Sequence, residues 1–267
     1  MRGKKGGVAC GDRVEYRFTA AEQGVIEKIQ LRTSLLHRSD AFKEKIIAAN
    51  VTQIIIVVAA IPSFSEELIN RCLVAAESEN IDVLIVLNKA DLIESTQAAL
   101  DTLSLYASLG YRILPLSALQ DVAALRPYLK DHISVLAGQS GMGKSTLLNA
   151  LIPQANRATA EISAALDSGT HTTTHSQLYR LDENSAIIDS PGFQEFGLSH
   201  IKEENLAWGF LEFHPYFGQC KFSNCRHLKE PGCAVLSAVE QRTIAARRLG
   251  FYHKLLHQMR AGTSLSN

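Results

Sequence analysis

Long apolar runs are missing from this chain of 267 residues. The longest, IIIVVAAI from Ile54 to Ile61, is less than half of what a helix needs to cross a bilayer, so no membrane-spanning segment is expected. The basic start MRGKKGG has no apolar stretch behind it, which argues against a secretory signal. Internal repeats and low-complexity segments are also absent, so nothing suggests a solenoid or a long linker. Net charge is missing too, because 27 Lys and Arg balance 27 Asp and Glu. Cysteine is scarce, with five in all. In a chain without a secretion signal these are expected as thiols or metal ligands of a cytoplasmic protein, not as disulfides. What is present is enough apolar residue, 46%, to build the core of one or two domains.

The balanced charge is unevenly spread. Residues 1–40 hold eight Lys and Arg against five Asp and Glu; residues 220–267 hold eight against two; residues 41–219 hold eleven against twenty. Basic flanks around an acidic centre suggest that the flanks meet a polyanion and the centre does chemistry. Solubility patterning alone would give the same asymmetry. The first forty residues read as short strands, GDRVEYRF, GVIEKIQL and TSLLHR, a piece of a small β-barrel. From about residue 50 buried-strand runs alternate with helical patterns: TQIIIVVAA, EELINRCLVAAESEN, IDVLIVLNKAD, QAALDTLSLYASLG, YRILPLSA. That alternation predicts an α/β domain with a largely parallel sheet.

Two stretches carry the chemistry. GQSGMGKS, with Gly138, Gly143, Lys144 and Ser145 at the phosphate-loop spacing, lies between an apolar strand and a helix. Its glycines let backbone N–H groups curl around phosphates, and the helix N-terminus adds partial positive charge. Lys144 is expected to reach the β- and γ-phosphates and Ser145 to ligate Mg²⁺. The run Gly138, Gln139, Ser140, Gly141, Met142, Gly143, Lys144, Ser145 and Thr146 is expected against the nucleotide. NKAD, from Asn88 through Lys89 and Ala90 to Asp91, decides the base: a carboxylate at Asp91 accepts from both N–H groups on the guanine edge, whereas adenine presents an acceptor there. Unpaired buried groups of that kind reject the wrong base by about 10⁴-fold. Ser117 and Ala118, at the end of the next strand, are expected on the other side of the guanine. An ordinary glycine turn or Asx turn is the bland alternative for each motif, and the strand–loop–helix context argues against it.

Further on, IIDSPG puts Asp189 at a strand end, where it would hold Mg²⁺ directly or through water, and Gly192 beside the γ-phosphate. GTHTTT, Gly169 to Thr174, is a polar loop, one of whose threonines would complete the Mg²⁺ shell with Ser145. Phe193 follows Gly192 where related enzymes place a water-orienting Gln. His171 is the nearest group able to position or deprotonate water, unless it is only a loop histidine. Lys144, His171, Asp189 and Gly192 are thus the expected catalytic set. The base reader precedes the phosphate loop, the reverse of the usual order, so the domain is a circularly permuted GTPase. The last strand then leads straight from the second switch into the C-terminal region, a route by which hydrolysis could move that region.

Near the C-terminus Cys220, Cys225, His227 and Cys233 form C-x₄-C-x-H-x₅-C, suited to a closed, structural zinc site. Beyond it Leu249, Tyr252, Leu256 and Met259 recur at helical spacing, with Arg247, Arg248, Lys254 and His257 between them. An apolar stripe docked on the core with a basic outer face toward RNA is expected, a solvated face being the alternative.

Taken with AANVTQIIIVVAA, RCLVAAE, GTHTTTHSQLY and CKFSNCRHLKEPGC, these motifs make the chain resemble the ribosome-small-subunit-dependent GTPases, permuted bacterial assembly factors. The resemblance spans nearly the whole sequence. It implies GTP hydrolysis stimulated by the small ribosomal subunit during its late maturation, contact with rRNA, and a catalytic switch histidine. Members usually begin with a full oligonucleotide-binding (OB) barrel, whereas MRGKKGGVACGDRVEY reads as the barrel's middle. The expected organisation is therefore a partial OB-like β segment (1–42), a circularly permuted P-loop GTPase domain of α/β class (43–205) and a C-terminal zinc-binding helical module (206–267). The chain is expected as a monomer, with no membrane partner. An ATP-using P-loop enzyme and a GTP sensor without turnover are the rival readings.

Overall fold

The computed structural model describes residues 7–20, 23–40, 43–152, 176–190, 198 and 201–264. At its centre is a six-stranded sheet. The strands are β5 (Gln53–Ala59), β6 (Asp82–Asn88), β7 (Arg112–Pro115), β8 (Ile133–Ala137), β9 (Gln177–Arg180) and β10 (Ala186–Asp189), preceded by β1 to β4 in the N-terminal segment described below. They lie in the order β7-β6-β5-β8-β10-β9, parallel throughout except for β9, which runs antiparallel to β10 at one edge. Every residue of β5 is buried. Such continuous burial is what helices on both faces produce, and the period of two then divides the side chains. Ile54, Ile56 and Val58 face a cluster with α1 (Glu66–Glu79) and α2 (Ile93–Ser108), while Ile55 and Val57 face α4 (Lys144–Leu151) and α3 (Arg126–Leu129).

The N-terminal segment forms two antiparallel hairpins, β1 (Val14–Ala20) with β2 (Gln23–Ile29) and β3 (Leu35–Asp40) with β4 (Lys43–Ala49). The three strands expected from the sequence are present. The fourth, β4, pairs with β3 across the position where the sequence pattern divided the chain. A parallel bridge from Cys10 to Ala48 and a hub at Asn50 close the segment just before the sheet begins: Asn50 accepts from the Thr33 N–H (2.9 Å) and donates to the Gly11 carbonyl (2.9 Å). Asn50 sits at φ 57°, a left-handed conformation that asparagine tolerates better than most residues.

After β10 the chain buries Leu198 and Ile201 and continues as two 3₁₀ segments, Glu203–Gly209 and Leu211–Tyr216. The first lies so close to α1 that a Cβ on Gly209 would stand 2.8 Å from a Val74 methyl. The Cys/His cluster follows, then α5 (Ala234–Glu240) and α6 (Ala246–Ser264). The apolar stripe expected on α6 is present: Leu249, Tyr252 and Leu256 are buried, and Met259 packs against the same cluster.

Of its basic face, expected to look outward to RNA, one cation turns inward instead. Arg248 is 1% exposed; it donates to the Glu212 carboxylate and to Asn70, with its guanidinium 4.7 Å from the Phe210 ring centroid. Arg247 reaches Glu66 at 3.3 Å and Lys254 reaches Glu67 at 2.7 Å. Arg247, Lys254 and His257 stand exposed as expected, the first two paired with those carboxylates. The acidic first turn of α1, with Glu66 and Glu67, meets the two exposed cations, while Arg248 is drawn inward by Glu212. Much of the acidic-centre, basic-flank asymmetry is thus spent within the chain.

Candidate nucleotide site and metal centre

The parallel strands end together on one side of the sheet, and every nucleotide-site motif read from the sequence that the structure describes lies in the loops there. This is where open α/β sheets hold ligands. Asn88 fastens three of those loops. Its side chain, in a residue only 2% exposed, donates to the Met142 carbonyl at 2.9 Å and accepts from the Ala118 N–H at 2.9 Å. The base reader, the second base contact and the phosphate loop are therefore held by one amide. The Ala90 N–H adds a bond to the Leu116 carbonyl (3.0 Å). Asp91 is exposed at the rim, free to meet a ligand edge. The Ser117 hydroxyl is buried, with no hydrogen-bond partner among the described residues.

The phosphate loop needs its glycines for stated reasons. Gly143 has φ 88°, and a Cβ there would lie 2.3 Å from the Asn88 amide nitrogen; one on Gly138 would lie 2.3 Å from the Val57 carbonyl oxygen. Met142 turns its side chain into the core, leaving its backbone to the loop. Gly143 is the N-cap of α4 and offers no side chain, so the first-turn N–H groups are left for an anion. Lys144 donates to the carbonyls of Gly138 (2.6 Å) and Gln139 (2.7 Å), lying along the loop it would share with phosphates. Ser145 is exposed on the first turn.

Asp189 and Lys144 face each other electrostatically. Burial raises the Asp189 pKa, and attraction to Lys144 opposes that rise. Burial lowers the Lys144 pKa, and Asp189 opposes that fall. Both groups are thus poised to gain from a cation or an anion that restores the charge lost to burial. Next to Asp189, Ser190 accepts from the Ser176 hydroxyl at 2.6 Å, and Ser176 also contacts the Ile47 carbonyl of β4 (3.4 Å). His171, Gly192, the loop Gly169 to Thr174 and Phe193 lie outside the described residues.

In the C-terminal module, Cys220, Cys225, His227 and Cys233 converge with all four ligand atoms within 4.8 Å of one another. The Cys220–Cys233 sulfurs are 3.9 Å apart, and His227 Nδ1 is 3.7, 3.7 and 3.3 Å from the sulfurs of Cys220, Cys225 and Cys233. A tetrahedral zinc with ordinary bond lengths sets sulfur–sulfur edges of about 3.8 Å and sulfur–nitrogen edges of about 3.6 Å. The donor set and spacing fit that ion. Glu230 orders the intervening turn by accepting backbone N–H groups of Arg226, Leu228 and Lys229. Burial alone would raise its pKa, but those bonds outweigh burial and hold it at about 2.

A family model described as RsgA GTPase matches residues 29–199. The chain belongs to the RsgA GTPase family. It is 62% identical over 256 residues to the "Small ribosomal subunit biogenesis GTPase RsgA" of Nitrosospira multiformis, covering 96% of this chain and 82% of that protein. The protein of the same name from Nitrosomonas europaea is 56% identical over 259 residues, with the same coverage. Among solved structures, YjeQ from Thermotoga maritima superposes with a TM-score of 0.75 at 35% identity, covering 95% of this chain and 84% of that one. YloQ, described as a circularly permuted GTPase, gives 0.72 at 30%, covering 97% and 83%.

Set in the RsgA GTPase fold, the expected residues Asn88 to Asp91, Ser117, Ala118, Gly138 to Thr146 and Asp189 share one sheet end. Sequence reasoning missed the loop from Ala60 to Ser65. The Ile61 carbonyl accepts from Lys89 at 2.8 Å, the Ser65 N–H donates to the Gln139 side chain at 2.7 Å, and Pro62 covers Gly141. The signal was available: Ala59 is in register with Asn88, so whatever follows β5 must sit beside the base reader. Among the described residues no helix is long and apolar enough to cross a membrane.

Proposed function

We propose that this chain hydrolyses GTP on the maturing small ribosomal subunit, binding its rRNA and leaving when GTP is spent. The observation that carries the reading is the Asn88 staple, which joins a guanine-type base reader to a phosphate loop. The relatives' printed name, small ribosomal subunit biogenesis GTPase, supplies the setting.

Asp91 selects guanine, Lys89 lies along the base, and Ser117 and Ala118 close its far side. Gly138 to Thr146 wraps the phosphates, and Lys144 balances charge on the β- and γ-phosphates. Mg²⁺, when bound, neutralises phosphate charge; Ser145, a threonine of the Gly169 to Thr174 loop and Asp189 are the residues that would hold it. The Gly192 N–H meets the γ-phosphate. His171 orients the attacking water in place of the glutamine that Phe193 precludes, so unstimulated turnover is slow. Zinc in the Cys220, Cys225, His227, Cys233 set orders the C-terminal module and does no chemistry, since a closed four-ligand shell has no open position. The working division is a partial OB-like β segment (1–42), whose last strand pairs with β4 at the start of the GTPase (43–205), and the zinc-binding helical module (206–267) of a cytoplasmic monomer.

The test is phosphate release from GTP and from ATP, with and without purified small subunits. Expected are a strong preference for GTP and a large rise with subunits, lost in His171→Ala while GTP binding remains. Equal use of the two nucleotides would remove the base-reader assignment. A negligible rate in every arm would leave a GTP sensor.

A further inference from the structure

Two of the exposed cations of α6 are already paired with α1, which leaves open which surface of the C-terminal module meets RNA. The chain has one tryptophan, Trp208, and it is 58% exposed. Solvent is an unusual place for a sole indole unless something covers it. Trp208 is not loose. Its ring sits 4.6 Å from Phe217 in an edge-on contact and 5.2 Å from His214, whose Nε2 lies 2.8 Å from the Trp208 carbonyl oxygen. These contacts fix the indole before any ligand arrives, which reduces the ordering cost of stacking on it.

Trp208 walls a cavity of about 440 Å³ beside the Cys/His cluster, shared with Phe217, Phe222, Lys221 and Arg226. Phe222 is itself 41% exposed, with the Lys221 ammonium 5.6 Å from its ring centroid. The volume suits one nucleotide unit. Two carboxylates also line it. Glu203 is held by Arg260 (2.7 Å) and lies 3.8 Å from Arg226, while Glu204 lies 3.9 Å from Lys202. A groove that tracks a phosphate backbone would be uniformly basic. Exposed rings, two cations and a loosely held carboxylate instead match the parts of a single nucleotide: a π-face, a phosphate, and exocyclic amino groups that need an acceptor.

We propose that this cleft takes an unpaired RNA base, stacked on Trp208, with its phosphate at Lys221 and Arg226. The proposal deepens the rRNA reading above and rests on it. It names the contact as a base splayed out of a loop or single-stranded stretch, not the groove of a duplex.

The probe is the intrinsic fluorescence of Trp208 in the full, zinc-loaded chain with a non-hydrolysable GTP analogue. It is titrated with a short single-stranded oligoribonucleotide, the same backbone with abasic riboses, and an RNA duplex. Saturable quenching by the first, with the other two binding about ten-fold more weakly or worse, is expected. Trp208→Ala should weaken binding of labelled single strand by about ten-fold, Trp208→Phe should restore most of it, and Lys221→Ala should lower the salt dependence by about one ion. Unchanged zinc content and melting temperature would show that the variants fold. Equal quenching by abasic and ordinary RNA, or full binding by Trp208→Ala, would overturn the proposal. So would quenching by small-subunit proteins but not by RNA. Subunit-stimulated GTP turnover, measured alongside, separates the two readings: the cleft can fail while stimulation persists, and stimulation can be absent while the oligonucleotide still stacks.

Discussion

Removing the Asn88 side chain should damage the nucleotide site before any nucleotide is present. Asn88→Ala deletes a donor to the Met142 carbonyl and an acceptor for the Ala118 N–H, both bonds 2.9 Å long in a buried place. Alanine returns neither, and water has little room beside a residue 2% exposed. Each buried group left unpaired costs about 1–3 kcal/mol, so the pair should cost about 2–6 kcal/mol. For a domain of this size that is a fall in melting temperature of about 4–24 °C. The three loops would also relax in the free protein, and GTP would have to re-order them. Affinity should therefore drop by about ten-fold or more, although Asn88 need not touch the ligand. Thermal unfolding followed by circular dichroism gives the first number and titration calorimetry with GTP the second. A variant that melts within about 1 °C of the parent and binds GTP equally well would refute the idea that one amide pre-assembles the site.

Other expectations come from other parts of the molecule. Arg248→Met leaves the Glu212 carboxylate buried and alone, at about 3–5 kcal/mol in urea unfolding, whereas adding Glu212→Leu should recover most of that loss. If the single variant loses under about 1 kcal/mol, the pair does not clamp the C-terminal module. Asp12 is held by Arg32 (2.7 Å) and the Ala9 N–H (2.7 Å); burial would raise its pKa, but these partners outweigh burial and hold it below its ordinary 3.8. A depressed carboxylate contributes stability above the unfolded pKa and loses it as pH falls through the folded one. Asp12→Asn should thus be the less stable protein at neutral pH, with the gap closing below about pH 4; a gap constant down to pH 2 would rule this out. Stripping zinc with a strong chelator should shift Trp208 emission while GTP binding persists, because metal binding supplies much of a small module's folding energy. Emission that stays fixed after stoichiometric zinc release would count against the Cys220, Cys225, His227 and Cys233 site.

What the sequence made legible was local. Gly138 to Ser145 and Asn88 to Asp91 carry their chemistry in consecutive residues, and the buried run Ile54 to Val58 can hardly be anything but a central strand. The four metal ligands fall within fourteen residues, so their spacing nearly dictates their meeting. What was illegible depended on partners far away in the chain. Arg247 and Glu66 are 181 residues apart, and nothing around Arg247 says that an acidic helix turn will meet it. A basic helix face toward RNA and one toward its own domain look identical until the fold supplies the neighbour. The loop from Ala60 to Ser65 was missed differently. It contributes mainly backbone, a carbonyl to Lys89 and an N–H to Gln139, and backbone groups leave no signature in residue identity.

That loop bears on how a nucleotide could be felt at a distance. It is the lead-in to α1, so the start of α1 is bonded to the phosphate loop through Ser65 and Gln139. The next two residues, Glu66 and Glu67, hold Arg247 and Lys254 of α6. One turn of helix therefore touches both the nucleotide loops and the C-terminal module. The ion pairs on it are partly exposed, and such pairs contribute about 0.2–1 kcal/mol each, so they can be exchanged at modest cost. Arg248 and Glu212, by contrast, are fully enclosed and keep the module attached whatever the outer pairs do. A firm inner anchor with weak outer contacts permits tilting without detachment. Circular permutation adds a second connection to the same module, since the chain passes from Asp189 through the buried Leu198 and Ile201 into the 3₁₀ segment against α1. The phosphate loop and the segment after β10 thus meet the module on the same helix.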